Sequence, residues 1–152
     1  MKTFEKLIRK HIQGKKVLML FILTNLVYVA MLTITIPMVM GFANGMKLLD
    51  MMPMGYDFEY VHELFRALGP KGRDVYLHNQ IPLDMVYPAL FAIGYSLVLG
   101  YFLNRLGKLQ TPLIYLCLLP FVAGAADYAE NIGIITILNN YPEISKSIVT
   151  IT

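Results

Sequence analysis

Charge is scarce in this chain. Of its 152 residues only 15% are charged, while 57% are hydrophobic, against the roughly 25% charge usual in soluble domains. Cysteine is nearly absent. The single Cys117 lies in an apolar run, so no intrachain disulfide can form, and it reads as a small core hydrophobe. There is no phosphate-cradling glycine loop, no G-x-S-x-G elbow and no redox cysteine pair. Gly69-Pro70-Lys71-Gly72-Arg73 is turn chemistry. His62-Glu63 opens like the zinc-protease pattern H-E-x-x-H, but the last position is Arg66, so that motif is missing. Nucleic acid is not indicated as a partner, because the net charge of +3 comes with no aromatic-interleaved basic patch. The many short alternating segments of a transmembrane barrel are also lacking.

What the chain has is long uncharged apolar blocks, and a mean hydropathy of +0.57. They predict an all-α, polytopic transmembrane helical bundle, with three spans and the start of a fourth. Residues 1–16 place Phe4, Leu7, Ile8 and Ile12 at helical spacing among six of the thirteen basic residues. This is a basic amphipathic helix suited to an anionic leaflet. Residues 17–42 hold no charge in twenty-six positions and form span 1. At ~39 Å it exceeds a ~30 Å hydrocarbon core, so it should tilt, bend or protrude, with Pro37 as the bend. Thr24, Asn25, Thr33 and Thr35 give it a polar stripe suited to bonding between helices. The basic head predicts a cytoplasmic N-terminus, in a multi-pass protein of the cell membrane.

Residues 43–82 read as an outer loop, and the 43–84 stretch holds six of the ten acidic residues. Within it Asp57 is a good N-cap for an amphipathic helix over 58–68, stopped by Gly69-Pro70 and lying on the outer face. A second helical stretch is expected at about 72–80. Span 2 covers 83–103, with Ala92, Ser96 and Gly100 as a stripe for close helix approach. Span 3 covers 111–138. Thr111 and Pro112 start it, Pro120 should kink it, and Ala125, Ala129 and Gly133 continue a small-residue face. Residues 140–152 resemble the start of a fourth span.

Span 3 carries Asp127, Glu130 and Asn131 at i, i+3 and i+4, on one helix face. Asp127 lies fifteen residues along the span, ~22 Å from its inner start and past the midplane. Asp84 opens span 2 from the same side, with His78 and Arg73 just before it. The topology therefore gathers Asp84, Asp127, Glu130, Asn131, His78 and Arg73 at one depth as a ligand-binding set. Three chemistries suit it. Asp84, Asp127, Glu130, His62 and His78 are candidate metal ligands. Asp127, Glu130 and Asp84 are candidate catalytic acid–base groups. Arg73 or Arg66 could instead pair with Asp127 or Glu130 and lock the outer helix down. No cofactor is specified by any of these residues.

The set Gly69, Gly72, Arg73 and Tyr76, then Asp84 with Tyr87-Pro88, then Asp127 with Glu130-Asn131, resembles a class of small bacterial polytopic membrane proteins of unassigned function. The resemblance covers roughly residues 55–142 and implies four helices rather than three. It carries over no activity.

The leading expectation is an outer polar pocket that binds a lipid-like or amphiphilic ligand or a partner helix. An outer-leaflet hydrolase or transferase using the carboxylates is one alternative. A small subunit of a membrane complex or transporter is another. Membrane lipids are the expected partners, together with homo- or hetero-oligomers formed through the small-residue faces.

Overall fold

The computed structural model describes residues 2–152, and these form helices and turns with no β-strand. The helices are α1 (Lys2–His11), α2 (Gly14–Ala30), α3 (Ile36–Met40), α4 (Phe58–Val75), α5 (Ile81–Arg105), α6 (Leu119–Asn140) and α7 (Lys146–Ile151). Three continuous helical runs, Gly14–Ala43, Phe58–Arg105 and Pro112–Asn140, contain stretches long and apolar enough to cross a membrane. Their large apolar side chains face outward. Leu18, Met19, Ile22 and Leu26 on α2 are all exposed, which suits hydrocarbon and not water.

The first two runs share a device. Each carries one π-helical turn, Met31–Thr35 in the first and Tyr76–Gln80 in the second. Each turn closes on a bond five residues back: the Ile36 N–H donates to the Met31 carbonyl, and the Ile81 N–H to the Tyr76 carbonyl. Each is followed at once by proline, in Ile36-Pro37 and Ile81-Pro82. Proline offers no N–H to the carbonyl four residues earlier, and its ring presses on that carbonyl. The helix responds by widening one turn upstream while remaining continuous.

Several expected boundaries move. The stop at Gly69-Pro70 is a break of one residue: Gly69 sits at φ 62°, ψ −179°, and the helix resumes from Pro70. It then passes through the second π turn into α5 without a loop. The expected outer loop of 43–82 is therefore irregular only within 44–57. Pro120 does not kink a helix in mid-course. It is the second residue of α6, and the change of winding lies before it, where Pro112–Leu118 is 3₁₀-helical. The expected helix start at 140–143 comes later. Ser145 caps the six-residue α7, its hydroxyl accepting from the Ile148 N–H at 3.4 Å. Two expected caps are in place: Asp57 accepts from the Tyr60 N–H at 2.7 Å and Thr111 from the Leu113 N–H at 3.3 Å.

The chain divides into two compact units. Unit 1 is Met1–Tyr28 with Val86–Ala126, and unit 2 is Val29–Met85 with Asp127–Thr152. In unit 1, Ile8 of α1 and Ile12 just beyond it pack with Val17, Leu103, Leu109, Ile114 and Cys117. The small-residue stripe of α5 permits this approach. A Cβ on Gly100 would lie 2.6 Å from Ile8 Cγ2, and one on Gly124 would lie 2.9 Å from the Pro88 carbonyl oxygen. The Thr24 hydroxyl lies 2.8 Å from the Leu20 carbonyl and 3.2 Å from that of Leu90, so it ties α2 to α5.

Unit 2 has a core of Val39, Ala43, Leu48, Leu49, Val61, Leu64, Phe65 and Tyr76, all fully buried. The 44–57 segment is drawn onto this core. The Tyr60 hydroxyl donates to the Lys47 carbonyl at 2.9 Å, and Leu48 and Leu49 are inserted beneath.

Candidate functional site

Unit 2 concentrates the acidic and amide groups of the chain. Its best-defined part is a hydrogen-bonded chain built on the two π turns. Thr35 ends the first turn and Gln80 ends the second. The Thr35 hydroxyl donates to Gln80 Oε1. Gln80 Nε2 then donates to Asp50 Oδ2 at 3.0 Å, and the Tyr76 hydroxyl donates to Asp50 Oδ1 at 2.7 Å. Gln80 and Tyr76 are both fully buried. Burial pushes the Asp50 carboxyl above its ordinary value, while the bonds from Tyr76 and Gln80 pull it back. None of these four residues was expected in the site.

A second set adjoins the first. Asp84 lies within electrostatic reach of Asp50, Asp127 and Glu130, and Glu130 within reach of Asp50 and Asp127. Asp84 is buried, whereas Asp127 and Glu130 stay partly open. Asn131 is buried and its Nδ2 donates to the Asp84 carbonyl at 3.1 Å. That bond has a local cause. Pro88 is four residues beyond Asp84 and has no N–H to offer its carbonyl, so the side chain from α6 supplies the donor. Asn131, a member of the expected ligand set, is here engaged with Asp84. The Tyr56 hydroxyl is buried with no hydrogen-bond partner among the described residues. Burial, and then the charges of Glu130 and Asp50, raise it above the ordinary phenol range.

Two other expected members are engaged elsewhere. His78 Nδ1 lies 3.0 Å from Asp74 Oδ1, one turn back along the same run and well exposed. Arg73 donates to the Phe65 carbonyl at 2.7 Å, and its guanidinium stacks 4.4 Å from the Tyr141 ring centroid. The expected ion pair of Arg73 or Arg66 with Asp127 or Glu130 does not form among the described residues. His62 packs against the Phe58 ring at 4.5 Å and the Tyr141 ring at 5.7 Å. Among the described residues no three His, Cys, Asp or Glu side chains gather closely enough to hold a metal ion. The expected ligand set of His62, His78, Asp84, Asp127 and Glu130 is therefore not assembled, because both histidines are turned to ring and carboxylate neighbours of their own.

The result is four carboxylates, Asp50, Asp84, Asp127 and Glu130, with no Lys, Arg or His in ion-pair contact among the described residues. Hydrogen bonds hold Asp50, but neither a hydrogen bond nor an ion pair ties Asp127 or Glu130 to a described residue. Such a group attracts cations and can exchange protons. Comparison with protein-family models, with curated proteins and with solved structures gives no match.

Proposed function

We propose that this is an integral membrane binding protein of the cell membrane, with a cytoplasmic N-terminus, whose unit-2 acid cluster receives the cationic head of an amphiphile. Asp127 and Glu130 are the contacting groups, with Asp84 behind them and the Tyr56 hydroxyl beside them. The supporting observation is the uncompensated charge. Three acidic side chains of apolar helical runs and Asp50 share one region without a cationic partner among the described residues. Isolated charge near hydrocarbon is costly, so a cation brought by a ligand lowers the free energy of the site. An amphiphile supplies that cation on an apolar body that the flanking helices can accept. The orientation rests on the basic residues of 1–16 and of Arg105 and Lys108, which a three-span path places on one side.

The test uses the full chain in phosphatidylcholine nanodiscs, titrated with a fluorescent long-chain alkylammonium. Saturable binding is expected, displaced by unlabelled alkylammonium and not by the chain-matched alkyl sulfate. The double variant Asp127→Asn, Glu130→Gln should bind on the order of tenfold more weakly, about 1.4 kcal/mol. Equal binding of the two probes, or unchanged binding by the double variant, refutes the reading.

A further inference from the structure

We infer that unit 1 carries a separate binding site for one anionic phospholipid, in a groove between the N-terminal half of α2 and the C-terminal half of α5. The groove encloses ≈ 460 Å³ and is lined by Gly14, Val17, Phe21, Val98, Tyr101 and Phe102. Its walls are almost wholly apolar along its length, which suits an acyl chain.

The charge at one end sets the head group. Lys15 follows Gly14 directly and lines an adjoining hollow with Leu18, Met19 and Ile22. Lys15 and Lys16 are exposed. The Arg105 guanidinium lies 5.9 Å from the ring centroid of Tyr101, which itself lines the groove. Gly14 is the first residue of the seventeen-residue α2, whose leading N–H groups and positive dipole end face the same region. A phosphodiester at this end meets two lysines, an arginine and free backbone donors, while its chain lies in the groove.

Helix α1 strengthens the assignment. Ile8, and Ile12 just beyond the helix, are buried in the unit-1 core, while Leu7 stays exposed. Arg9 is also occupied, donating to Glu5 Oε1 at 2.9 Å and to Asn104 Oδ1 at 3.1 Å. Lys6 and Lys10 remain exposed. The helix is therefore clamped to the protein, and its free lysines add positive potential at this end of unit 1.

The chain contains no tryptophan, so Phe102→Trp places a single fluorophore in the groove. Val122→Trp, on an exposed position of α6, reports ordinary surrounding lipid. The full-length variants are reconstituted in vesicles containing either dibrominated phosphatidylglycerol or dibrominated phosphatidylcholine. At the groove, phosphatidylglycerol should quench at a concentration on the order of tenfold lower than phosphatidylcholine does. At Val122→Trp the two lipids should quench alike. Adding Lys15→Gln and Lys16→Gln should abolish the preference at the groove. Equal quenching by both lipids at Phe102→Trp, or a preference that survives loss of the lysines, overturns the proposal. Native mass spectrometry of the unaltered protein from an equimolar mixture of the two lipids gives an independent reading. A retained phosphatidylglycerol adduct supports the site, and its absence argues against it.

Discussion

Substitution at Asp50 tests the polar chain of unit 2 most directly. Tyr76 and Gln80 are fully buried, and both donate to this carboxylate. Asp50→Leu leaves a hydroxyl and an amide without acceptors. Each orphaned donor costs about 1–3 kcal/mol, so the loss should be about 2–6 kcal/mol. Asp50→Asn is different in kind. The introduced carbonyl still accepts from Tyr76. If the Gln80 amide reverses, its oxygen accepts from the new amide and its nitrogen donates to the Thr35 hydroxyl. Every bond is then kept, and the change should stay within about 1 kcal/mol of wild type at neutral pH.

The pH dependence supplies an independent arm. Burial raises the Asp50 value in the folded state, so the native protein holds this proton more tightly than the unfolded chain. The contribution is most favourable below the unfolded value of about 3.9, and it declines as pH rises through the folded value. Equilibrium unfolding in mixed micelles, followed by far-UV circular dichroism from about pH 4 to 8, should show the wild-type-minus-Asp50→Asn difference falling with pH. A flat difference, or an Asp50→Leu protein as stable as wild type throughout, refutes the reasoning.

Four further substitutions check other contacts. Gly124→Ala brings a Cβ to 2.9 Å from the Pro88 carbonyl oxygen; backbone cannot yield as a side chain tip does, and thermal unfolding in the same micelles should show a loss of about 1–3 kcal/mol. Asn131→Leu removes the donor to the Asp84 carbonyl and should cost about 1–3 kcal/mol in the same assay, while Asp84→Asn, which keeps that carbonyl, should not reproduce the loss. Tyr56→Phe deletes a buried hydroxyl with no hydrogen-bond partner among the described residues; stability at neutral pH should be unchanged or higher by up to about 1–3 kcal/mol, and the loss of stability above about pH 10 caused by this phenol should vanish.

The helical class and the apolar runs were legible because they rest on local pattern. Twenty-six uncharged residues from 17 to 42, the capping Asp57 and the Thr111-Pro112 start act within a turn or two of themselves. The polar stripe of the first run was also readable as helix-bonding chemistry, and Thr24 now meets the Leu90 carbonyl while Thr35 meets Gln80. The site was only partly legible. Asp84, Asp127 and Glu130, which the expected topology gathers, do lie within electrostatic reach of one another. Asp50 is not singled out by the sequence, because a lone acid within the 43–82 loop carries no local sign of the buried Tyr76 and Gln80 donors that it meets. Sequence nearness to Asp84 puts His78 and Arg73 in the expected set but says nothing about which way a helical side chain turns. Arg73 instead reaches a carbonyl eight residues back and the Tyr141 ring.

One signal lay in plain sight. Thr35-Ile36-Pro37 and Gln80-Ile81-Pro82 are the same pattern, a polar residue followed by Ile-Pro, forty-five positions apart. In each the proline forces a π turn, and the polar residue is the last of that turn. The two polar residues then bond to each other, and through Gln80 to Asp50. This divides the polar residues of unit 2 by role. Thr35, Gln80, Asp50, Tyr76 and Asn131 have hydrogen-bond partners inside the protein, and proline positions account for three of them: Thr35 and Gln80 through the π turns, Asn131 through the carbonyl left by Pro88. Asp127, Glu130 and the Tyr56 hydroxyl have no such partners among the described residues. Structural need accounts for the first group. The second is what a ligand would have to satisfy, so changes at Asp127 and Glu130 should alter binding more than folding, and changes at Asp50 and Gln80 the reverse.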